Sequence, residues 1–240
     1  MHTNSLERIV PDQIHETGST GQQALALHLD RYRFAATQTM AGRILDMACG
    51  VGYGTKLLYD TASDCQYALG VDTDHNSITY AKRRYQQEGI AFKISDAMTF
   101  TSTEPFDSIV TLETIEHLSD PQGFISHLTS LLRAGGKLIA SVPTTPTVDA
   151  NPYHLHDFTE HSIRRMTAQF PLKEIASYRQ QQTFNPVSVL TRSESRLADL
   201  RPNLLSYYAQ HPSALLQRLW STLRYGFSIH YLTISFRYEP

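Results

Sequence analysis

Asp46-Met47-Ala48-Cys49-Gly50-Val51-Gly52-Tyr53-Gly54 joins the end of an apolar run, RILDMA from Arg43 to Ala48, to three glycines spaced two residues apart. The helix-like TKLLYD follows at once. This order reads as a buried strand that turns sharply into a helix. Such a turn leaves the free N–H groups and the positive dipole end of the new helix above the sheet. Glycine at that place lets a ligand come close to the backbone.

The same rhythm repeats outward from this point. YALGVD (Tyr67 to Asp72) reads as a second strand, HNSITYAKRRYQQ as a helix, and IAFKIS (Ile90 to Ser95) as a third strand. FDSIVTLE is a fourth strand, PQGFISHLTSLLR a helix expected to end at Gly135 and Gly136, and KLIASVP a fifth strand. Before the first strand, residues 1–40 hold a leading helical segment, with Leu25, Leu29, Tyr32 and Ala36 on one side from about Gly21 to Thr39. After the fifth strand come the proline-containing loop TTPTVDANPYHLHD, the helix TEHSIRRMTAQF, a sixth strand in KEIASYRQ and a last strand in IHYLTISFRYE. Residues 183–226 are expected to form a helical insertion between those two strands, with a basic bias: Arg192, Arg196, Arg201, Arg218 and Arg224 against Glu194 and Asp199. Alternating strands and helices with right-handed crossovers predict one α/β domain over residues 1–240, and ligands bind beyond the carboxyl ends of its parallel strands.

Composition narrows the partners. Lys and Arg total 21 against 23 Asp and Glu, a net charge of −2, so no overall basic field draws the chain onto nucleic acid. Cys49 and Cys65 form no CxxC pair, which points away from a disulfide framework or a thiolate zinc site and toward a reducing cytoplasm. No stretch approaches the roughly 20 apolar residues of a membrane span, and MHTNSLERIVPDQIHETGS reads as neither a signal nor a transit peptide.

The glycine turn fails two phosphate-binding patterns. Counting from Gly50 and Gly52, the third place of a dinucleotide fingerprint is Thr55, and Gly54-Thr55-Lys56 has the wrong order for a P-loop. Acidic residues stand at successive strand ends instead. Asp46 can face a cationic or amino-bearing ligand and would repel a pyrophosphate. Asp72, about twenty residues past the loop, is placed for two ribose hydroxyls. Asp96 is placed for an exocyclic adenine amine. Each acid alone is more often a cap or turn residue. Together they describe an amino acid end, a ribose and an adenine without phosphate.

In that set, DMACGVGYG, GVDTD, SDAM, FDSIVTLETIEHL and LRAGGKLIASVP resemble the successive motifs of class I S-adenosylmethionine-dependent methyltransferases, over roughly Leu45 to Phe158. The resemblance implies a Rossmann-like, mostly parallel seven-stranded sheet whose last strand is antiparallel. It also implies S-adenosylmethionine contacts at Ala48, Gly50, Gly52, Asp72, Thr73, Asp96 and Ala97, beside Asp46. HLDRYRFA (His28 to Ala35) is similar to a segment preceding the domain in some such enzymes. Tyr32 is then either a lid over the cofactor or a core tyrosine.

Methyl transfer is an in-line displacement at an activated sulfonium, so the protein aligns donor and acceptor and takes a proton from the acceptor, with no metal needed in principle. LETIEHL puts Glu113, Glu116 and His117 near the methyl group. His117 is the expected general base; Glu113 is a second base or a cofactor-shell residue. NPYHLHDF (Asn151 to Phe158) resembles the NPYHxHEFT segment of methyltransferases associated with glycan biosynthesis, with Asp157 where Glu is common. His154, His156 and Asp157 there hold a substrate hydroxyl, a phosphate or a metal, or else only order a lid loop. Zinc is not expected, for want of a clear third and fourth ligand.

The expected activity is O-methylation of a small molecule: a sugar, nucleotide sugar or glycan terminus. The alternatives are O- or N-methylation of a natural product or quinone-like aromatic under an apolar cap formed by 183–226, and a cofactor-binding protein without turnover. Leu204, Leu205, Tyr207, Tyr208, Leu215, Leu216, Leu219 and Trp220 suit that cap or a homodimer contact.

Overall fold

The computed structural model describes residues 9–12, 18–191, 197 and 200–240. Seven strands form one sheet: β1 (Gly42–Met47), β2 (Cys65–Asp72), β3 (Ile90–Ile94), β4 (Phe106–Leu112), β5 (Leu132–Pro143), β6 (Leu172–Thr183) and β7 (Ser228–Tyr238). Their spatial order is β3-β2-β1-β4-β5-β7-β6. Strands β3 to β5 in that order pair in parallel, and β7 runs antiparallel between β5 and β6. The predicted Rossmann-like sheet with an antiparallel last strand is the one observed.

Helices α1 (Gly18–Gln38), α2 (Tyr53–Thr61), α3 (His75–Tyr85), α4 (Pro121–Leu131) and α5 (Glu160–Thr167) cover it. The two-residue alternation of β1 shows how. Ile44 packs with Tyr32, Ala35 and Ala36 of α1 and Leu58 of α2, while Leu45 and Met47 join Phe124, Ile125 and Leu128 of α4 and Ile163 of α5. A strand covered on both faces is mostly apolar on both, and the buried exception in β1, Asp46, is hydrogen-bonded by Tyr32 and Thr55. Each such side chain contributes about 1.5–3 kcal/mol by burial.

One boundary differs from the sequence reading. Gly135 and Gly136 do not end α4, which stops at Leu131 as Leu132 turns extended with φ −86 and ψ 145. The glycines lie inside β5, where the register shifts between the pairs Phe106–Leu132 and Ser108–Lys137. Gly135 has φ 75, a left-handed conformation that glycine adopts without strain, and it serves this strand irregularity.

Between β6 and β7 lie α6 (Pro186–Thr191), α7 (Leu204–Gln210) and α8 (Pro212–Tyr225). Of the arginines predicted there, Arg201, Arg218 and Arg224 are described; Arg192 and Arg196, with Glu194 and Asp199, lie outside the described residues. Arg218 and Arg201 are occupied in holding these helices to the loop after β5. The Asp149 carboxylate, buried there, accepts from Arg218 Nε at 2.7 Å and from the Tyr208 hydroxyl at 2.6 Å. Arg201 donates to the Asp149 and Val148 carbonyls, and Arg224 lies over the Trp220 ring. Among the described residues no helix is long and apolar enough to cross a membrane.

Candidate functional site

The carboxyl ends of β1, β2 and β4 converge on one edge of the sheet, and backbone strain collects there. Ala48 after β1 and Glu113 after β4 have φ values of 65 and 54, unusual for residues with a Cβ. Strain of this kind concentrates at binding sites that the surrounding fold holds in place.

The three glycines of the opening segment do three different jobs. Only Gly50 faces open space: a Cβ built there meets nothing within 4 Å, and its φ is 56. At Gly52, φ 85, an added Cβ would lie 2.7 Å from Ala81 and Phe92, so this glycine seats the start of α2 against α3 and β3. At Gly54 an added Cβ would lie 1.9 Å from the Tyr32 ring. The ligand-facing surface of the turn is therefore Gly50, and the other two glycines support it.

Beneath the turn is a polar knot. The Tyr32 hydroxyl donates to Asp46 at 3.1 Å, and the Thr55 hydroxyl donates to Asp46 Oδ2 at 2.6 Å. Burial pushes the Asp46 carboxyl up to about 7, against the lowering effect of those two donors. Tyr32 is 3% exposed, so of the two readings of this residue the structure places it in the core, as the support of Asp46. Thr55, which breaks the dinucleotide fingerprint, is the second support.

Asp72, at the end of β2, accepts from the Gly50 N–H through Oδ2 and from the Asp74 N–H through Oδ1, each at 2.9 Å. A cleft of about 130 Å³ beside it is lined by Ala48, Asp72, Thr73, Asp96, Ala97 and Thr114, among others. Four of the residues expected to hold the cofactor, Ala48, Thr73, Asp96 and Ala97, thus share a cavity with Asp72. Asp96 also accepts from the Met98 N–H at 2.7 Å, so it closes a turn as well as lining the cleft. A wider concavity of about 570 Å³ lies on α8 between Leu216, Leu219, Trp220 and Leu223, and it holds no acid or base.

At the end of β4, Glu113 Oε1 accepts from the Ser141 hydroxyl at 3.0 Å and lies 3.8 Å from Arg31. Arg31 was not singled out in the sequence. It is 4% exposed, sits over the Tyr231 ring at 4.4 Å, and its Nε and Nη1 have no hydrogen-bond partner among the described residues. In the sequence Arg31 and Arg33 both flank Tyr32, and only the fold buries the first and exposes the second.

Past Glu113, a short 3₁₀ turn, Ile115–His117, carries the remaining chemistry. The NPYHLHDF loop docks on it: the N–H groups of Leu155 and His156 both donate to the Glu116 carbonyl. His117 Nδ1 lies 3.1 Å from the Tyr153 carbonyl and His154 Nδ1 lies 2.7 Å from the Thr147 hydroxyl. A carbonyl only accepts, so His117 carries its proton on Nδ1 and presents the Nε2 lone pair. Burial, helped by the neighbouring His117, pushes His154 down to about 3 and keeps it neutral. The two rings meet edge to face at 4.6 Å.

His156 and Asp157 do something else. His156 Nε2 donates to the Leu118 carbonyl, and Asp157 accepts the N–H groups of Thr147 and Val148. These two side chains hold the loop in place. The residue that joins His117 and His154 is Glu116, fully buried: one carboxylate oxygen and one nitrogen of each ring lie within 4.8 Å of one another.

Residues 45–140 match the model of the methyltransferase domain family. Over that stretch the chain is similar to the class I S-adenosylmethionine-dependent methyltransferases. Similar proteins include a probable S-adenosylmethionine-dependent methyltransferase of Mycolicibacterium smegmatis, 28% identical over 56% of this chain and 54% of that one. A ubiquinone biosynthesis O-methyltransferase of Coxiella burnetii is 33% identical over 43% of this chain and 44% of its own. The chain thus spans about half the length of such relatives. Among solved structures, a methyltransferase-like protein from Bacillus halodurans superposes with a TM-score of 0.68 at 14% identity, covering 88% of this chain and 99% of that one. An N-methyltransferase, NodS of Bradyrhizobium japonicum, in complex with S-adenosyl-L-homocysteine reaches 0.60 at 16% identity over 98% and 95%. A [4+2]-cyclase, SpnF, also reaches 0.60, so this fold alone does not set the reaction. The site fits S-adenosylmethionine, the cofactor of such methyltransferases: an open backbone at Gly50, a carboxylate at the end of β2 and, among the described residues that line the cleft, no basic side chain for a phosphate.

Proposed function

We propose that this methyltransferase transfers a methyl group from S-adenosylmethionine to a hydroxyl of a small molecule. The observation that supports it most is the contact of His117 Nδ1 with the Tyr153 carbonyl, which leaves Nε2 as the basic nitrogen of the ring. When bound, S-adenosylmethionine supplies an activated methyl group on a sulfonium centre. Gly50 and Asp72 hold the adenosine side, Asp46 faces the amino group, and Arg31 is suited to the carboxylate. Glu113, locked by Ser141, shapes the cofactor shell. His117 takes the acceptor's proton, and His154, neutral and beside it, orients the hydroxyl.

The acceptor divides into two readings. A sugar, nucleotide sugar or glycan terminus rests on the likeness of NPYHLHDF to glycan-associated methyltransferases. A phenolic or quinone-like ring is supported by the ubiquinone biosynthesis O-methyltransferases of Coxiella burnetii and Cereibacter sphaeroides among the relatives. The phenolic reading has the more specific support, because Arg201 and Arg218, which would favour a phosphorylated acceptor, are engaged with the loop after β5.

The test is release of S-adenosylhomocysteine with a panel of catechols and phenols against a panel of nucleotide sugars. Turnover with either panel supports O-methylation and selects the acceptor; turnover only with amines overturns it. His117→Ala is expected to lower kcat by about 10²–10⁴ while leaving S-adenosylhomocysteine affinity within about twofold.

A further inference from the structure

We infer that Glu116, His117 and His154 form a binding site for a divalent transition-metal cation at the acceptor end of the site. This deepens the methyltransferase reading and rests on it for the cation's place beside the acceptor. One carboxylate oxygen and two imidazole nitrogens within 4.8 Å of one another make a three-ligand set from one short turn and the loop docked on it. Ligand atoms around such an ion, bound at about 2.0–2.2 Å, stand about 3.4 Å apart, so the three side chains close in by roughly 1 Å on loading.

The surroundings match what a metal-binding histidine requires. Its second nitrogen is normally tied to a carbonyl or another polar group, which fixes the ring and its tautomer. Here Tyr153 O holds His117 Nδ1 and the Thr147 hydroxyl holds His154 Nδ1. The Glu116 carbonyl, accepting from Leu155 and His156, ties the loop bearing His154 to the turn bearing the other two ligands. A divalent charge also offsets part of the cost of a carboxylate with no solvent-exposed surface.

Two imidazoles and one carboxylate select against Mg²⁺ and Ca²⁺, which prefer all-oxygen shells, and favour Zn²⁺, Co²⁺, Fe²⁺ or Mn²⁺ with positions left open. An acceptor bearing a hydroxyl, above all one with two adjacent oxygens, fits those open positions. In the loaded form His117 is a ligand, and its role as proton acceptor belongs to the cation-free protein. From the sequence zinc is not expected, because His154, His156 and Asp157, neighbours there, lack a clear third and fourth ligand; in space the neighbours of His154 are Glu116 and His117.

The full chain, stripped with a chelator and saturated with S-adenosylhomocysteine, is titrated with Co²⁺, following its visible ligand-field absorption, and separately with Mg²⁺ by calorimetry. The expected result is one Co²⁺ per chain, much weaker Mg²⁺ binding, and Co²⁺ affinity lowered about tenfold or more in Glu116→Gln, His154→Ala and the supporting variant Thr147→Val. The exposed His161→Ala variant retains wild-type affinity. Wild-type protein that binds S-adenosylhomocysteine but no Co²⁺, or Co²⁺ binding unchanged in all three variants, overturns the cation site and leaves the methyltransferase reading standing. Failure of the wild type to bind S-adenosylhomocysteine overturns that reading instead.

Discussion

The N–H of Gly50 donates to Oδ2 of Asp72 at 2.9 Å, so the turn after β1 and the end of β2 are one hydrogen-bonded unit. The same carboxylate accepts from Asp74, which in turn caps α3 by accepting from Ser77 at 2.7 Å.

Asp72 therefore shapes the turn, and in the proposed function it also presents oxygen to a ribose. Hydrogen bonds to a charged group are each worth about 1.5–3 kcal/mol, so Asp72→Ala is expected to weaken S-adenosylhomocysteine by at least about tenfold in a calorimetric titration. An affinity equal to wild type would remove Asp72 from the binding site.

In the proposed function Asp46 faces the ligand's amino group, and cofactor affinity is then expected to depend on pH. Burial holds its carboxyl at about 7 in the folded protein, whereas the unfolded chain releases that proton near 4. Over that window the folded state binds more protons, so the cofactor-free protein loses stability as pH rises from about 4 to about 7. A ligand ammonium pairs only with the ionised form, so S-adenosylhomocysteine affinity rises with pH through about 7 and then levels. Asp46→Asn flattens both profiles. An affinity independent of pH in the wild type would show that Asp46 does not face the ligand's charge.

Gly54 is a packing site for Tyr32. Gly54→Ala places a methyl group inside that ring's volume and is expected to cost about 1–3 kcal/mol, read as a lower Tm. Pairing it with Tyr32→Leu should recover part of the loss. Equal destabilisation in the single and double variants would mean that the ring is not the obstacle.

Asp149 anchors α7 and α8 through Tyr208 and Arg218. Removing one partner of a buried ion pair costs about 3–5 kcal/mol, toward the low end here because the Arg218 side chain keeps 27% of its exposure. Asp149→Ala is expected to speed proteolysis between β6 and β7 while S-adenosylhomocysteine binding persists. Loss of cofactor binding in step with cleavage would show that these helices form part of the cofactor site.

Period, punctuation and strand ends sufficed to place the strands along the chain, while their order in the sheet was set by the fold. Mostly apolar runs at Ile44–Met47 and Phe106–Leu112, each followed by a turn, read as strands buried on both faces. The carboxylates Asp46 and Asp72 were legible because residues at successive parallel strand ends share one edge of the sheet. The end of α4 was not: Gly135 resembles a helix stop, yet its left-handed backbone serves β5, and only the pairing with β4 distinguishes the two uses.

What the chain determined by itself is local: which segments are strands, which turn is stripped of side chains, and which acids stand beside it. The fold alone decided the company each side chain keeps. It turned Gly54 toward Tyr32, put Thr55 under Asp46, and separated His154 from His156 although they are two residues apart. Successive residues of an extended loop point different ways, so hydrogen bonds with Thr147, Leu118 and the Glu116 carbonyl chose each one's neighbours, and those bonds span 7 to 40 positions in the chain.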